Sequence, residues 1–156
     1  MDYYFSVRGW MELSWPDADF EGVDETTEEH AAKVKRVHEF LTTSLSPKEL
    51  QDPPENVDRE ELYKAGWSLP QNDLGGTEYL FYGADVSEPA VVMELIKGVL
   101  AIDPFADGYF STEGEDGEQY RQWLIKGGKV YTRHHLFPDF ESEDSTGYSL
   151  FFSASS

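Results

Sequence analysis

The chain has 156 residues, the size of one ordinary domain, and sets 31 Asp and Glu against 12 Lys and Arg for a formal net charge of -19. Such a balance repels DNA, RNA and anionic membranes at long range and attracts basic partners. The lack of cysteine excludes disulfides, thiolate zinc sites and cysteine nucleophiles, while 39% hydrophobic and 15% aromatic residues supply a core that a disordered acidic chain would not have.

The N-terminus, Met-Asp-Tyr-Tyr-Phe, has neither the basic region nor the apolar run of a signal peptide, and the apolar stretch from Ala90 to Ile102 is broken by Glu94, Lys97 and Gly98. A cytoplasmic protein is expected. From Tyr3 to Trp15 one set of residues (Tyr3, Phe5, Val7, Gly9, Met11, Leu13, Trp15) alternates with a more polar set, which predicts a long half-buried strand ended by Pro16. Gly9 at its middle suggests a bend or bulge.

Thr26 to Glu29 has capping-box spacing, and Val34, Val37, Leu41 and Leu45 form a helical stripe reaching about residue 45. Ser46-Pro47-Lys48-Glu49 predicts a second, short helix with Ser as cap and Pro in the first turn. Asp58 to Lys64 suits one or two helical turns, and Trp67 and Leu69 are expected to pin the following loop to the body. Glu78 to Gly83 reads as a central strand. Ser87 is the expected cap of a helix with Pro89 in its first turn and an apolar face of Val91, Val92, Leu95, Ile96, Val99 and Leu100.

Tyr109–Glu113, Glu118–Lys126 and Lys129–His135 are three strand candidates. Gly127-Gly128 is a two-residue hairpin turn that pairs Ile125 with Val130, Leu124 with Tyr131 and Gln122 with Arg133. Tyr148 to Phe152 adds an edge strand. The order predicts a single α+β domain over 1–156, with one antiparallel or mixed sheet and two main helices packed on one face.

Nucleophile elbows, phosphate-binding loops and dinucleotide fingerprints are absent, and no cofactor is implied. His134 and His135 are strand neighbours that point to opposite faces, and His30 and His38 are two helical turns apart, so neither pair reads as metal ligands. Asp139, Glu141 and Glu143 lack the glycine and final Glu of a calcium loop. Arg121, Arg133, Lys126 and Lys129 on one hairpin could offer a nucleotide a small basic patch, or simply offset nearby acids.

The segment from Glu113-Gly-Glu-Asp-Gly117 through Arg121, Trp123 and Gly128-Lys-Val130 to Pro138-Asp139 resembles the C-terminal part of small actinobacterial and phage proteins of unknown function. It covers about a quarter of the chain. The resemblance carries no functional residues and points to a bacterial or phage source.

The acids form three blocks: 9–32, 98–120 and the stretch after Arg133 contain no Lys or Arg. If the blocks converge, they make a negative face. The surface expected to bind a partner is Glu12, Asp17, Asp19, Glu21, Asp24 and Glu25 with Glu115, Asp116 and Glu118. Alternate strand residues lie about 6.6 Å apart, so a row of acids can imitate a phosphate backbone. The function expected is therefore a non-enzymatic, phage-type inhibitor of a basic, nucleic-acid-binding defence enzyme. An immunity protein against a basic nuclease toxin is the alternative, and a ligand binder or enzyme using an aromatic pocket of Trp67, Tyr82, Trp123 and His135 is a third.

Overall fold

The computed structural model of the chain describes residues 3–14, 27–70, 78–134 and 149–154. In chain order these form β1 (Phe5–Glu12), α1 (Thr27–Leu41), α2 (Pro47–Gln51), α3 (Arg59–Tyr63), a 3₁₀ turn (Lys64–Gly66), β2 (Trp67–Ser68), β3 (Tyr79–Val86), α4 (Pro89–Ile102), β4 (Asp107–Gly114), β5 (Arg121–Lys126), β6 (Lys129–His134) and β7 (Ser149–Ser153). The strands make one antiparallel sheet in the order β2-β3-β1-β4-β5-β6-β7. The domain is α+β, as the element order predicts.

Period-two patterning decides which face is buried. Val7 and Met11 of β1, Leu80, Tyr82 and Val86 of β3, Phe110 of β4, Trp123 and Ile125 of β5 and Val130 of β6 share the side that packs on the helices. Val37 and Leu41 of α1 and Tyr63 of α3 meet them there. The largest contribution comes from α4, which buries Val92, Met93, Leu95, Ile96, Val99 and Leu100. At about 1.5–3 kcal/mol per buried side chain, that one helix face supplies roughly 10–15 kcal/mol before chain entropy is set against it.

Local signals account for most boundaries. Ser46 and Glu49 form the reciprocal capping box at α2, with Pro47 in its first turn. Asp58 caps α3. Gly127 and Gly128 both have positive φ, 59° and 77°, which the tight β5–β6 turn requires. The predicted hairpin register holds at Ile125–Val130, Leu124–Tyr131 and Gln122–Arg133.

Five expectations are corrected. The helix α1 stops at Leu41 rather than near residue 45, closing with Thr42 N donating to the His38 carbonyl. Ser87 is not the cap of α4. Glu88 holds that position, while Ser87 N donates to the Tyr63 hydroxyl and Ser87 Oγ accepts from Arg59 at 2.5 Å. The strand expected to be central, β3, lies one in from the edge, beside a two-residue β2 that forms where a loop is expected. The second of the three strands expected in the last third begins at Arg121 rather than Glu118.

Gly9 makes neither bend nor bulge, since β1 pairs without interruption on both sides. The register shift in the sheet falls instead between Val130 and Tyr131, against β7. Gly9 stands opposite Phe110, and a Cβ there would lie 2.4 Å from both the Phe110 ring and the Tyr109 carbonyl oxygen. Its bareness lets the Phe110 ring lie across the strand and reach Trp67 and Trp123, with ring centroids at 5.9 and 6.0 Å. Because one of the two clashes is with backbone, Gly9→Ala is expected to destabilise the fold by about 2–3 kcal/mol, read as a lower urea midpoint at unchanged slope.

Glu61 of α3 ties down the segment after α1. Its carboxylate accepts from Ser44 N and from Thr43 Oγ1 at 3.0 Å, and Lys64 Nζ stands 3.4 Å away. The Ser44 amide above all holds its pKa down to about 2 from an ordinary 4.5. A depressed carboxylate contributes its stability above the ordinary value and loses it as pH falls toward the folded one. Glu61→Gln should therefore be less stable than the parent near neutral pH. The gap should close between about pH 4.5 and pH 2 in urea titrations run across that range.

Candidate functional site: the sheet face opposite the helices

Parity that buries one face fixes what the other face carries. Leu124 lies directly across from Tyr109 on one side and Tyr131 on the other. Tyr109 in turn faces Trp10, Trp10 faces Phe81, and Tyr131 faces Leu150. The result is a transverse row, Phe81–Trp10–Tyr109–Leu124–Tyr131–Leu150, crossing six of the seven strands on the side away from the helices. At about 4.8 Å per strand it is roughly 24 Å long. Trp10 is 37% exposed, Phe81 46% and Leu150 56%, and the other three are half-buried. Tyr79 extends the apolar surface beside Phe81, with the two rings nearly parallel.

Polar rows border this stripe. On one side Glu12 of β1 faces Asp107 of β4, two carboxylates directly opposite each other. On the other side comes Arg8–Ser111–Gln122–Arg133, and beyond it Asp85–Ser6–Glu113. The first of these rows is largely satisfied from within. Arg133 Nε donates to Gln122 Oε1 at 2.7 Å, and Gln122 Nε2 donates to the hydroxyls of Tyr109 at 2.5 Å and Tyr120 at 3.3 Å. Arg8 pairs with Glu113 at 3.6 Å, both well exposed, a contact worth little in water. Asp85, Glu113 and Glu115 then edge a shallow groove of about 390 Å³ with Tyr4 and Ser6.

Four of the nine predicted partner-binding acids lie in the described residues. Glu115, Asp116 and Glu118 stand together in the β4–β5 turn, beside the start of β1. Glu12 is at the far end of that strand, some 23 Å away at about 3.3 Å per residue over the seven steps from Phe5 to Glu12. These four therefore do not form a single row. Asp17, Asp19, Glu21, Asp24 and Glu25 lie outside the described residues, as does the Asp139–Glu143 stretch. The residues that sequence reasoning missed are the aromatic row and the acids Asp85, Asp107 and Glu113. The hairpin register and the alternation of β1 held part of that signal, but pairing β1 with β3 and β4 was needed to complete it.

The turn acids have structural work as well. Asp116 accepts from the Tyr3 hydroxyl at 2.5 Å and from Glu118 N at 3.0 Å, while Glu115 N donates to the Tyr4 carbonyl at 2.9 Å. The turn is thereby stitched to the start of β1. Near the other end of β1, Asp103 is buried and accepts from Ser14 N and Oγ, both at 2.6 Å, with Lys33 Nζ 3.7 Å away. His30 is buried 3.2 Å from Glu78. Among the described residues no three His, Asp or Glu are placed to share a metal ion. Of the aromatic pocket foreseen from sequence, Trp67 and Tyr82 are core residues, His135 lies outside the described residues, and Trp123 borders a cleft on the opposite face.

The Tyr3 hydroxyl is the largest influence holding the Asp116 carboxyl below its ordinary pKa, with the Glu118 amide second. Tyr3→Phe should raise the Asp116 pKa toward that of an ordinary Asp and leave Glu118 N as its remaining donor, as carbon-detected NMR titration of the side-chain carboxyls would read. No family model, no curated protein and no solved structure matches the chain.

Proposed function

We propose that this chain is a non-enzymatic binding protein that docks a basic protein against the sheet face opposite its helices. The observation that carries this reading is the cross-strand row through Trp10, which leaves the large apolar side chains of Trp10, Phe81 and Leu150 exposed. Contiguous exposed apolar surface of this kind marks an interaction site, and an aromatic centre within a polar rim is the usual anatomy of one. Carboxylates stand on both sides of the stripe, Glu12 and Asp107 on one and Asp85 and Glu113 on the other. With a net charge of -19 behind them, the complementary surface is basic with an apolar centre.

Nucleic-acid-binding enzymes and nuclease toxins have such surfaces, so inhibition of one of them is the narrower form of the proposal. The mode differs from a row of acids imitating phosphates: the apolar stripe supplies affinity, and the carboxylates supply sign and speed of encounter.

Capture from a bacterial lysate with immobilised parent, Trp10→Ser and Glu113→Gln chains, at low and at high salt, tests it. A basic protein should be retained by the parent. Trp10→Ser should weaken its binding by about 2 kcal/mol or more, roughly 30-fold, as for a buried aromatic anchor. High salt should weaken it too. Retention that ignores salt, or that is equal for the parent and Trp10→Ser, overturns the proposal. So does a parent that retains no basic protein, or one that self-associates through Trp10 in sedimentation experiments.

A further inference from the structure

The helix face of the sheet is not covered throughout. Between α4 and the strands β4, β5 and β6 lies a cleft of about 360 Å³, within the range of small-molecule sites. Its floor is set by register. Thr112 of β4 faces Arg121 of β5, which faces His134 of β6, and in the next row Trp123 faces Thr132. From α4, Met93 and Lys97 form the opposite wall, and Phe5 and Phe151 add apolar surface.

The charge of this cleft runs against the rest of the chain. Thirty-one acids and 12 Lys and Arg would be expected to surround any opening with carboxylates. Here Lys97, Arg121 and His134 converge, and the one carboxylate among the described lining residues, Glu94, is held by Lys97 at 3.2 Å. Lys97 also lies 5.1 and 5.5 Å from the ring centroids of Phe152 and Phe151. Among the described residues Arg121 makes no ion pair, and its direct cross-strand neighbour is His134, with Cβ atoms about 4.5–5.5 Å apart. A guanidinium beside an imidazole in this position is no stabilising pair, whereas a carboxylate opposite Arg121 would be. The pairing makes sense if an anion completes it. Both groups can donate hydrogen bonds, and the guanidinium fork matches the two oxygens of a carboxylate or phosphate. The first turn of α4, at Pro89 and Ala90, borders the same cleft, so the positive end of that helix dipole adds to the potential.

We propose that this cleft binds a small organic anion, a carboxylate or phosphate carried on an apolar body of about the size of a benzene ring. Arg121 and His134 hold the anionic group, and Met93, Trp123 and Phe151 enclose the body. A nucleic-acid strand is not the ligand, because the surrounding surface repels a polyanion. The site lies on the opposite side of the sheet from the docking row, so the two proposals stand or fall separately.

Titration of the full-length chain with benzoate, phenyl phosphate, inorganic phosphate and neutral benzyl alcohol, followed by two-dimensional NMR, tests the site. Benzoate or phenyl phosphate should saturate shifts at the Trp123 indole N–H and at the Arg121, Thr132 and His134 amides. The stronger of the two identifies the anionic group. Benzyl alcohol and inorganic phosphate should each bind at least tenfold more weakly, since each lacks half of the recognition. Arg121→Gln, at an exposed position, should weaken binding at least tenfold, while Lys126→Gln, the same charge change on the other face, should leave it unaltered. The proposal is overturned if neither aromatic anion saturates below about 10 mM or if the neutral alcohol binds as well. It is equally overturned if the shifts gather at Trp10 or if the two variants behave alike.

Discussion

Burial of one side of a seven-stranded antiparallel sheet under α1, α3 and α4 is the constraint on which the rest depends. Successive strand residues point to opposite faces, so once Val7, Met11 and Phe110 are committed to the helices, Ser6, Arg8, Trp10 and Glu12 are committed to the other side. A slip of one residue in β1 would bury Arg8 and Glu12 and expose Val7 and Met11. The core therefore holds the register, and the register sets the docking row. That row follows from the fold's geometry, and the rings it leaves exposed at Trp10 and Phe81 are what the proposed docking face rests on.

The ends of the elements are locked by polar contacts that suit a chain short of cations. Asp103, at the close of α4, accepts two hydrogen bonds from Ser14, just past β1. Lys33 of α1 reaches both the Ser14 carbonyl, at 2.9 Å, and the Asp103 carboxylate. A buried carboxylate costs several kcal/mol unless its oxygens are satisfied, and here the amides of Ser14 and Phe105, one hydroxyl and one ammonium share that task. At the other end of β1 the Asp116 turn is fastened by Tyr3. Acids placed where backbone amides and hydroxyls can donate to them need few partner cations, so 12 Lys and Arg suffice beside 31 acids.

What was legible in the sequence followed from short-range rules. The alternation from Tyr3 onward gave β1, Ser46-Pro47 gave α2, and Gly127-Gly128 gave a hairpin with its register. What was not legible depends on pairings far apart in the chain. The two residues of β2 have no periodicity to detect, and only Tyr82 and Phe81 opposite them make them a strand. Gly9 looked like a bulge because a glycine within a strand leaves two readings open, and the Phe110 ring that explains it lies a hundred residues later. The acidic blocks could be counted but not positioned. That Glu12 and Glu115 sit at opposite ends of β1 follows from the pairing of Phe5 with Gly114 and Glu12 with Asp107, which composition does not encode. The hairpin register alone would have put Arg121 beside His134. The cleft above them depends on where α4 crosses the sheet.

The excess of acid acquires a different meaning beside the apolar row. An exposed stripe of aromatic side chains on a sheet is a hazard, because two copies can cover their stripes with each other. The carboxylates that flank it, Glu12 with Asp107 and Asp85 with Glu113, make that pairing unfavourable, since each copy brings the same sign to the rim. A net charge of -19 extends the repulsion to distances at which the stripes do not yet touch. A basic surface meets the opposite situation, drawn in by the charge and held by the apolar contact. In the proposed docking mode, one set of carboxylates would both reject the chain's own copies and admit a cationic partner. On this account the acidity belongs to the selectivity of the docking face, without any need for the acids to stand in a regular line.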